Sequence, residues 1–288
     1  MAILVDSKTK VMVQGITGTQ ASFHIQRAIK YGTNVVAGVV PNKQEDKHLG
    51  IPVFDTVREA KEKTKANASI VFVPAKFAKS AILEAIDAEL ELVVVITSGI
   101  PVNDMLEIRR KLQNSKTLLI GPNTPGIITP QNAYMGIFPD NIHKSGDIGI
   151  ISRSSTLTYE VVLEINNAGF GESTVVGLGD DYIIGTGFVE LIERFNQDKK
   201  TKAIVLIGGE GGNYEVEAAK LYKSMPHQKP VITLMLEDPL PLTRDSGVAT
   251  DIICNGVTSF AERKKLMQDS GIIVVDNLSS LTKELAKL

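Results

Sequence analysis

Residues 15–21, Gly-Ile-Thr-Gly-Thr-Gln-Ala, combine two glycines with the start of a helical pattern, and this combination can bind phosphate. They directly follow a short apolar run at residues 11–13. Glycine permits a sharp turn and lets a phosphate approach main-chain N–H groups, while the helix N-terminus adds partial positive charge. The G-x-x-G-x-x-A spacing is a variant of the dinucleotide fingerprint, so we expect a phosphate-bearing ligand here. The alternative is that the glycines only permit close packing of strand and helix.

The end of the next apolar run, residues 35–40, indicates which ligand is expected. An NAD site carries an acid at this point to accept hydrogen bonds from the ribose hydroxyls. Here the first charged residue is Lys43, and Glu45 and Asp46 follow as less well placed acids. A cation suits a ribose that bears a phosphate, which favours NADP or coenzyme A over NAD. A solvated lysine without a ligand is the alternative.

Apolar, β-branched runs alternate with helical patterns in both halves of the chain, which predicts βαβ units and parallel sheets in an α/β fold. Predicted strands cover residues 11–13, 35–40, 70–73, 92–96, 118–120, 148–151, 173–177, 203–207, 231–236 and 272–275. Predicted helices cover residues 78–90, 103–112, 158–169, 188–195, 214–223, 259–271 and 280–288. The Pro- and Gly-rich residues 121–130 interrupt this rhythm. We therefore predict a first domain at 1–125, a connecting segment at 126–145 and a second domain at 146–288.

Composition excludes several classes of function. The net charge of −2 and the pI of about 6.1 provide no basic field for nucleic acid. No apolar run reaches the roughly 18 residues of a membrane span, and the first residues lack the pattern of a signal peptide. We expect a cytoplasmic protein with neither a nucleic-acid nor a membrane partner. Because Cys254 is the only cysteine and the four histidines are dispersed, we expect neither a disulfide framework nor a metal site.

Six segments together resemble the alpha subunits of succinate–CoA ligases over essentially the whole chain. They are residues 13–24, 31–43, 48–60, 73–77, 121–130 and 152–160. The resemblance implies a Rossmann-like domain that binds coenzyme A, followed by a flavodoxin-like ligase domain. It also implies a separate beta subunit that binds ATP or GTP with Mg²⁺, and a small carboxylic acid, succinate first, as substrate. The reaction would form an acyl phosphate that the CoA thiol then attacks.

The resemblance also assigns site residues. It implies that the glycine turn faces the phosphates of CoA, that Lys43 meets the phosphate-bearing end, and that two later segments line the cofactor groove. The turn residues are Thr17, Gly18, Thr19 and Gln20, and the groove residues are Val73, Pro74, Ala75, Ile96, Thr97 and Ser98. The substrate and phosphate end would contain Ser154, Thr156 and Tyr159, with Tyr159 near the subunit contact. Without the resemblance, Ser154 or Ser155 could simply cap a helix.

The phosphate-transfer half departs from the family pattern. Family members carry a phosphorylated histidine where this chain has Gly247, and no histidine follows His227. The catalytic residues are therefore unassigned, with Asp245 as a candidate phosphate carrier and Glu210, one place late in its loop, as a candidate orienting residue. Thr124 also stands where the family has cysteine.

Three functions remain open. The chain is expected to be an acid–thiol ligase subunit that binds CoA, or a CoA-binding subunit without phosphate transfer that serves as a regulator or scaffold. An NADP-dependent reductase comes third, because no Tyr-x-x-x-Lys pattern is visible.

Overall fold

The computed structural model describes residues 3–208, 214–226, 228–235 and 260–288. Within them the chain forms two sheets of seven strands, and helices pack against both. The expected α/β architecture is confirmed.

The first sheet and its helices come from the N-terminal part of the chain. The strands are β1 (Lys10–Gln14), β2 (Asn34–Val39), β3 (Lys47–His48), β4 (Ile51–Phe54), β5 (Ala68–Val71), β6 (Leu92–Val95) and β7 (Leu118–Ile120). The helices are α1 (Thr19–Tyr31), α2 (Val57–Thr64), α3 (Ala75–Asp87) and α4 (Val102–Leu112). The strand order is β3-β4-β2-β1-β5-β6-β7, and every pair except β3 with β4 is parallel.

The position of β1 in this sheet predicts where a ligand binds. The chain leaves β1 towards β2 on one side, and the next strand on the other side of β1 is β5. In open α/β sheets, ligands bind beyond the carboxyl ends of the strands at such a change of direction. The glycine turn after β1 lies at this point, so the topology of the sheet predicts a ligand site at the turn.

The second sheet has a different order. Its strands are β8 (Gly126–Thr129), β9 (Ala133–Gly136), β10 (Ser145–Ser152), β11 (Glu172–Gly177), β12 (Ala203–Ile207), β13 (Val231–Leu234) and β14 (Ile273–Val275). Its helices are α5 (Ser155–Asn167), α6 (Phe188–Gln197), α7 (Tyr214–Ser224), α8 (Phe260–Asp269) and α9 (Leu278–Leu285). The order is β14-β13-β12-β10-β11-β8-β9. The five parallel strands from β10 to β14 have the flavodoxin-like order 2-1-3-4-5.

The predicted connecting segment, 126–145, carries regular structure. It contains β8 and β9, a hairpin that pairs antiparallel with β11 at the edge of the second sheet. These two strands therefore belong to the second sheet, although no strand was predicted for this segment, and its bounds as a connection between domains stay a prediction. The Pro- and Gly-rich residues 121–130 overlap the first of these strands, and each strand is only four residues long, so the apolar pattern did not reveal them.

The two sheets are held together by main-chain and side-chain contacts. Gly121 N donates to Leu178 O at 3.1 Å, and Gly185 N donates to Gly121 O at 2.8 Å. At a second contact between the two halves, the Thr33 hydroxyl donates to Tyr134 O at 2.8 Å. A continuous core cluster includes side chains of strands from both sheets, so the two halves share buried apolar surface.

Candidate functional site

The turn between β1 and α1 presents an open helix N-terminus. Gly15 has a φ of +82°, a left-handed conformation that favours glycine, and Gly18 N donates to Gly15 O at 3.1 Å. Thr17, Gly18, Thr19 and Gln20 are exposed. Among the described residues no side chain caps α1, and its first turn carries no acid. The free N–H groups and the helix dipole are therefore available to an anion.

Close packing also constrains the glycines around this turn. A Cβ on Gly15 would lie 3.1 Å from Cγ1 of Val73, and a Cβ on Gly38 would lie 2.5 Å from Cγ2 of Ile16. The packing interpretation thus holds for Gly15 and Gly38. It does not explain the solvent-exposed Gly18, whose Cβ would meet only atoms of its own turn.

Lys43 lies at the same edge of the sheet as the glycine turn. Gln14 pairs with Val39 in parallel β1 and β2, so the segments that follow these two strands leave the sheet side by side. The Lys43 main-chain N donates to Asp55 Oδ1 at 3.1 Å, and its Nζ donates to Asp46 Oδ1 at 2.6 Å. The hydrogen bond that Lys43 donates to Asp46 raises the pKa of Lys43, which keeps the side chain cationic.

The predicted groove residues follow β5 and β6 along this edge. Gln14 pairs with Val71, and Val71 pairs with Val95, so the three strand ends are neighbours. The Thr97 hydroxyl donates to Val73 O at 2.6 Å and joins the two segments. These two segments are partly accessible to solvent. Pro74 and Ser98 are exposed, and the half-buried residues are Val73, Ala75, Ile96 and Thr97. The structure therefore brings all the predicted CoA residues to one edge, and their roles remain a prediction.

In the second domain, the predicted substrate residues surround the start of α5. Ser154 is the N-cap, and its hydroxyl accepts from Leu157 N at 3.3 Å, as the capping interpretation expects. Thr156 is exposed in the first turn. Tyr159 is half-buried, with its ring edge-to-face with Phe138 at 6.1 Å, and burial raises the pKa of Tyr159. Their part in binding substrate stays a prediction.

Sequence reasoning missed a buried arginine between the β10–α5 turn and the loop after β11. Arg153 is only 2% exposed, its Nη2 donates to Asp181 O at 3.1 Å, and its guanidinium lies 4.7 Å from the centre of the Tyr214 ring. Burial raises the pKa of Asp180 and of Asp181, and the charge of Arg153 acts in the opposite direction. Arg153 therefore fixes the Asp180–Asp181 segment beside the start of α5. The only sequence signal was an arginine between two serines.

The residues discussed for phosphate transfer lie outside the described part of the chain. They are Glu210, His227, Asp245 and Gly247.

Within the described ranges, no helix has both the length and the apolarity to span a membrane. In the same residues, no group of three or more His, Cys, Asp or Glu side chains is arranged to hold a metal ion.

Two family matches identify a two-domain chain of the CoA-ligase class, and the glycine turn lies in the first of them. The family described as CoA binding domain matches residues 6–99, and the family described as CoA-ligase matches residues 151–286. The chain belongs to the family of succinate–CoA ligase alpha subunits, and its first domain is a CoA-binding domain.

Two relatives support this assignment. The alpha subunit of the ADP-forming succinate–CoA ligase of Staphylococcus epidermidis (strain ATCC 12228) is 46% identical over 281 residues, which are 98% of this chain and 93% of that protein. The second alpha subunit of the ADP-forming succinate–CoA ligase of Archaeoglobus fulgidus is 47% identical over 271 residues, 94% of each chain. Since the family matches end at 99 and resume at 151, the exact domain boundaries stay a prediction.

Solved structures share the fold. An ATP citrate lyase from Methanothrix soehngenii in complex with citrate and coenzyme A aligns with a TM-score of 0.78 at 20% identity, covering 98% of this chain and 49% of that one. A dinucleotide-forming acetyl-coenzyme A synthetase from Ca. Korarchaeum cryptofilum, in complex with phosphate and ADP, aligns with a TM-score of 0.75 at 20% identity. It is covered over 59% of its length, so this chain spans about half of each of these longer chains.

Proposed function

We propose that this chain is the CoA-binding alpha subunit of a ligase that forms acyl-CoA from a small carboxylic acid together with a beta subunit. Succinate is the first candidate acid, because the relatives are named succinate–CoA ligases. The observation that carries the proposal is the uncapped, acid-free N-terminus of α1 at the same sheet edge as Lys43.

Each part of the edge has a role in this proposal. The main-chain N–H groups of residues 17–20 bind the pyrophosphate, because a helix N-terminus favours anions. Lys43 pairs with the phosphate on the ribose. The groove formed by residues 73–75 and 96–98 holds the pantetheine arm, and the thiol then lies towards the second domain.

The nucleotide would bind to the beta subunit with Mg²⁺, as ATP or GTP. The ADP-forming names of the relatives support ATP. The substrate and phosphate end would lie at the start of α5, where Ser154 and Thr156 stand at a helix N-terminus. We also propose that the complex is cytoplasmic, as expected from the composition of the sequence.

One observation favours a second function. Where family members carry the phosphorylated histidine, this chain has Gly247, and no histidine follows His227. Loss of a covalent nucleophile removes many decades of rate, since the remaining binding and electrostatic effects recover only about 10³–10⁴-fold. The second candidate is a CoA-binding subunit that transfers no phosphate and acts as a regulator or scaffold.

Titration calorimetry with CoA tests the binding site shared by both candidates. We expect saturable binding by the wild-type chain and a loss of affinity of roughly ten-fold or more in Lys43→Glu, because an attractive charge becomes a repulsive one. Lys116→Glu, at another exposed position, is the matched control and should bind as the wild type does. A well-folded wild-type chain that shows no saturation with CoA would overturn the proposal.

Incubation with a beta subunit and γ-labelled ATP separates the two candidates. An acid-labile, base-stable label on this chain supports phosphate transfer through a histidine. An acyl phosphate on Asp245 would instead be labile to both acid and base. CoA binding without any label supports the non-transferring subunit.

A further inference from the structure

We propose that His48 is a positioning residue that joins the Lys43 loop to helix α1, and that it thereby sets the preference of the site for a ligand with a phosphate on its ribose. The Lys43 loop is defined as residues 41–48. This inference rests on the CoA site proposed above and adds a determinant of its specificity.

The imidazole of His48 bridges two elements that are distant in sequence. Its Nε2 lies 2.8 Å from the hydroxyl oxygen of Ser22 in α1, and its Nδ1 lies 2.7 Å from Oε1 of Glu45 in the Lys43 loop. The Ser22 hydroxyl oxygen also lies 3.1 Å from Ile16 O, and its single hydrogen is donated to this carbonyl when His48 Nε2 is the donor to Ser22. A chain of contacts thus runs from the glycine turn through Ser22 and His48 to Glu45.

This chain joins the two halves of the anion site. The glycine turn and the first turn of α1 form one half, and Lys43 forms the other. The loop is anchored near its start, where Lys43 N donates to Asp55, and at its end by the pairing of β3 with β4; His48 in addition joins it to α1. With the His48 contact in place, the reach of the Lys43 ammonium group relative to the helix N-terminus is restricted before the ligand arrives, and such preorganisation increases affinity.

The charges of the loop support the same conclusion. Glu45 and Asp46 are two carboxylates close to a site for phosphate, and alone they would repel it. Asp46 is paired with Lys43 at 2.6 Å, and Glu45 is held by His48 at 2.7 Å. His48 therefore fixes the direction of the Glu45 carboxylate, which would otherwise be free to turn towards the ligand.

The ratio of the affinities for CoA and for dephospho-CoA is the measurement that isolates this role, because the two ligands differ only in the phosphate that Lys43 is proposed to meet. In the full-length chain, Lys43→Met should weaken CoA about ten-fold and leave dephospho-CoA almost unchanged. His48→Ala and Ser22→Ala should lower the same ratio by about two- to ten-fold. Ser22→Thr keeps the hydroxyl and should restore the wild-type ratio.

A structural role without positioning would give a different pattern. The inference is wrong if Lys43→Met lowers the ratio of the two affinities but His48→Ala does not. This holds whether His48→Ala lowers both affinities equally or changes neither. In a Lys43→Met background, His48→Ala should have no further effect on the ratio. Thermal unfolding of each variant identifies any that fail to fold, and Ser22→Ala then provides the test through the hydroxyl partner.

The controls also separate this inference from the proposed function. If the wild-type chain binds neither ligand, the CoA site itself fails. If it binds both equally and Lys43→Met has no effect, the assignment of Lys43 fails. An unchanged ratio of the two affinities in His48→Ala, beside a lowered ratio in Lys43→Met, overturns the positioning role alone.

Discussion

The Nζ of Lys43 lies 2.6 Å from Oδ1 of Asp46, so the cation expected to meet the ligand phosphate has an anionic partner in the same loop. Their hydrogen bond raises the pKa of Lys43 and lowers that of Asp46. Asp46 thus competes internally with the phosphate for the ammonium group.

Asp46→Asn should increase the affinity for CoA. Because an exposed ion pair is weak, the expected gain is about two- to five-fold, and it should shrink as salt is added. The affinity for dephospho-CoA should stay the same. Glu62→Gln removes a charge from an exposed position of α2 and is the matched control for titration calorimetry. Weaker CoA binding by Asp46→Asn would contradict internal competition.

Thr124 should be a stabilising residue at the junction of the two sheets. Its buried hydroxyl donates to Gly177 O at 2.5 Å and accepts from Gly126 N at 2.8 Å. Thr124→Val keeps the shape but leaves two buried main-chain groups unpaired, so we expect a loss of about 1–3 kcal/mol in the free energy of unfolding. Thr124→Ser keeps the hydroxyl and should cost less, about 0.8 kcal/mol for the lost methyl group. Denaturant titration measures both, and equal losses would show that the hydrogen bonds are unimportant.

Ser154→Ala tests the cap of α5. Removing an N-cap hydroxyl should lower the stability by about 1 kcal/mol, because Leu157 N loses its partner. Thr156→Ala, in the exposed first turn, should change stability much less. Chemical denaturation with and without a saturating ligand is the measurement. A stability of Ser154→Ala equal to that of the wild type would mean that the capping bond contributes nothing.

Asp181 should give the protein a pH-dependent loss of stability. Burial and the neighbouring Asp180 raise the pKa of Asp181, while Asn123 and Arg153 lower it less. A raised pKa in the folded state means that the contribution to stability is present below the unfolded pKa of about 3.9 and is lost as pH rises through the folded pKa. The unfolding midpoint of Asp181→Asn relative to wild type should therefore rise between pH 3 and pH 7. Glu193→Gln is the control, and a difference that falls with pH would refute this sign.

Much of the fold could be predicted from the sequence, because its strands are buried on both faces. Strand β6, Leu92–Val95, is wholly apolar and buried, and a short β-branched run of this kind predicts a strand covered on both faces. Strands β3 and β4 were missed since Lys47–His48 is only two residues long and Ile51–Phe54 contains a proline. The hairpin of β8 and β9 was missed because its strands are stable only as an edge of a sheet formed by later residues.

The candidate site could be predicted only in part. Lys43 was identified because its position follows directly from the end of β2. The contact of His48 with Ser22 crosses 26 positions of the chain and depends on how β3 folds back towards α1, which no local pattern indicates. Arg153 was missed for a similar reason, since its partners Asp181 and Tyr214 come from two later segments.

The core cluster that includes Val11 and Ile70 of the first sheet also includes Ile151 and Ile204 of the second. Neither half can melt without exposing apolar side chains of the other, so heating should produce one cooperative transition whose calorimetric and van't Hoff enthalpies agree. A fragment that ends at residue 125 should in turn aggregate or stay partly unstructured when expressed alone, since the face of its sheet that shares a core cluster with the second half would lose its cover.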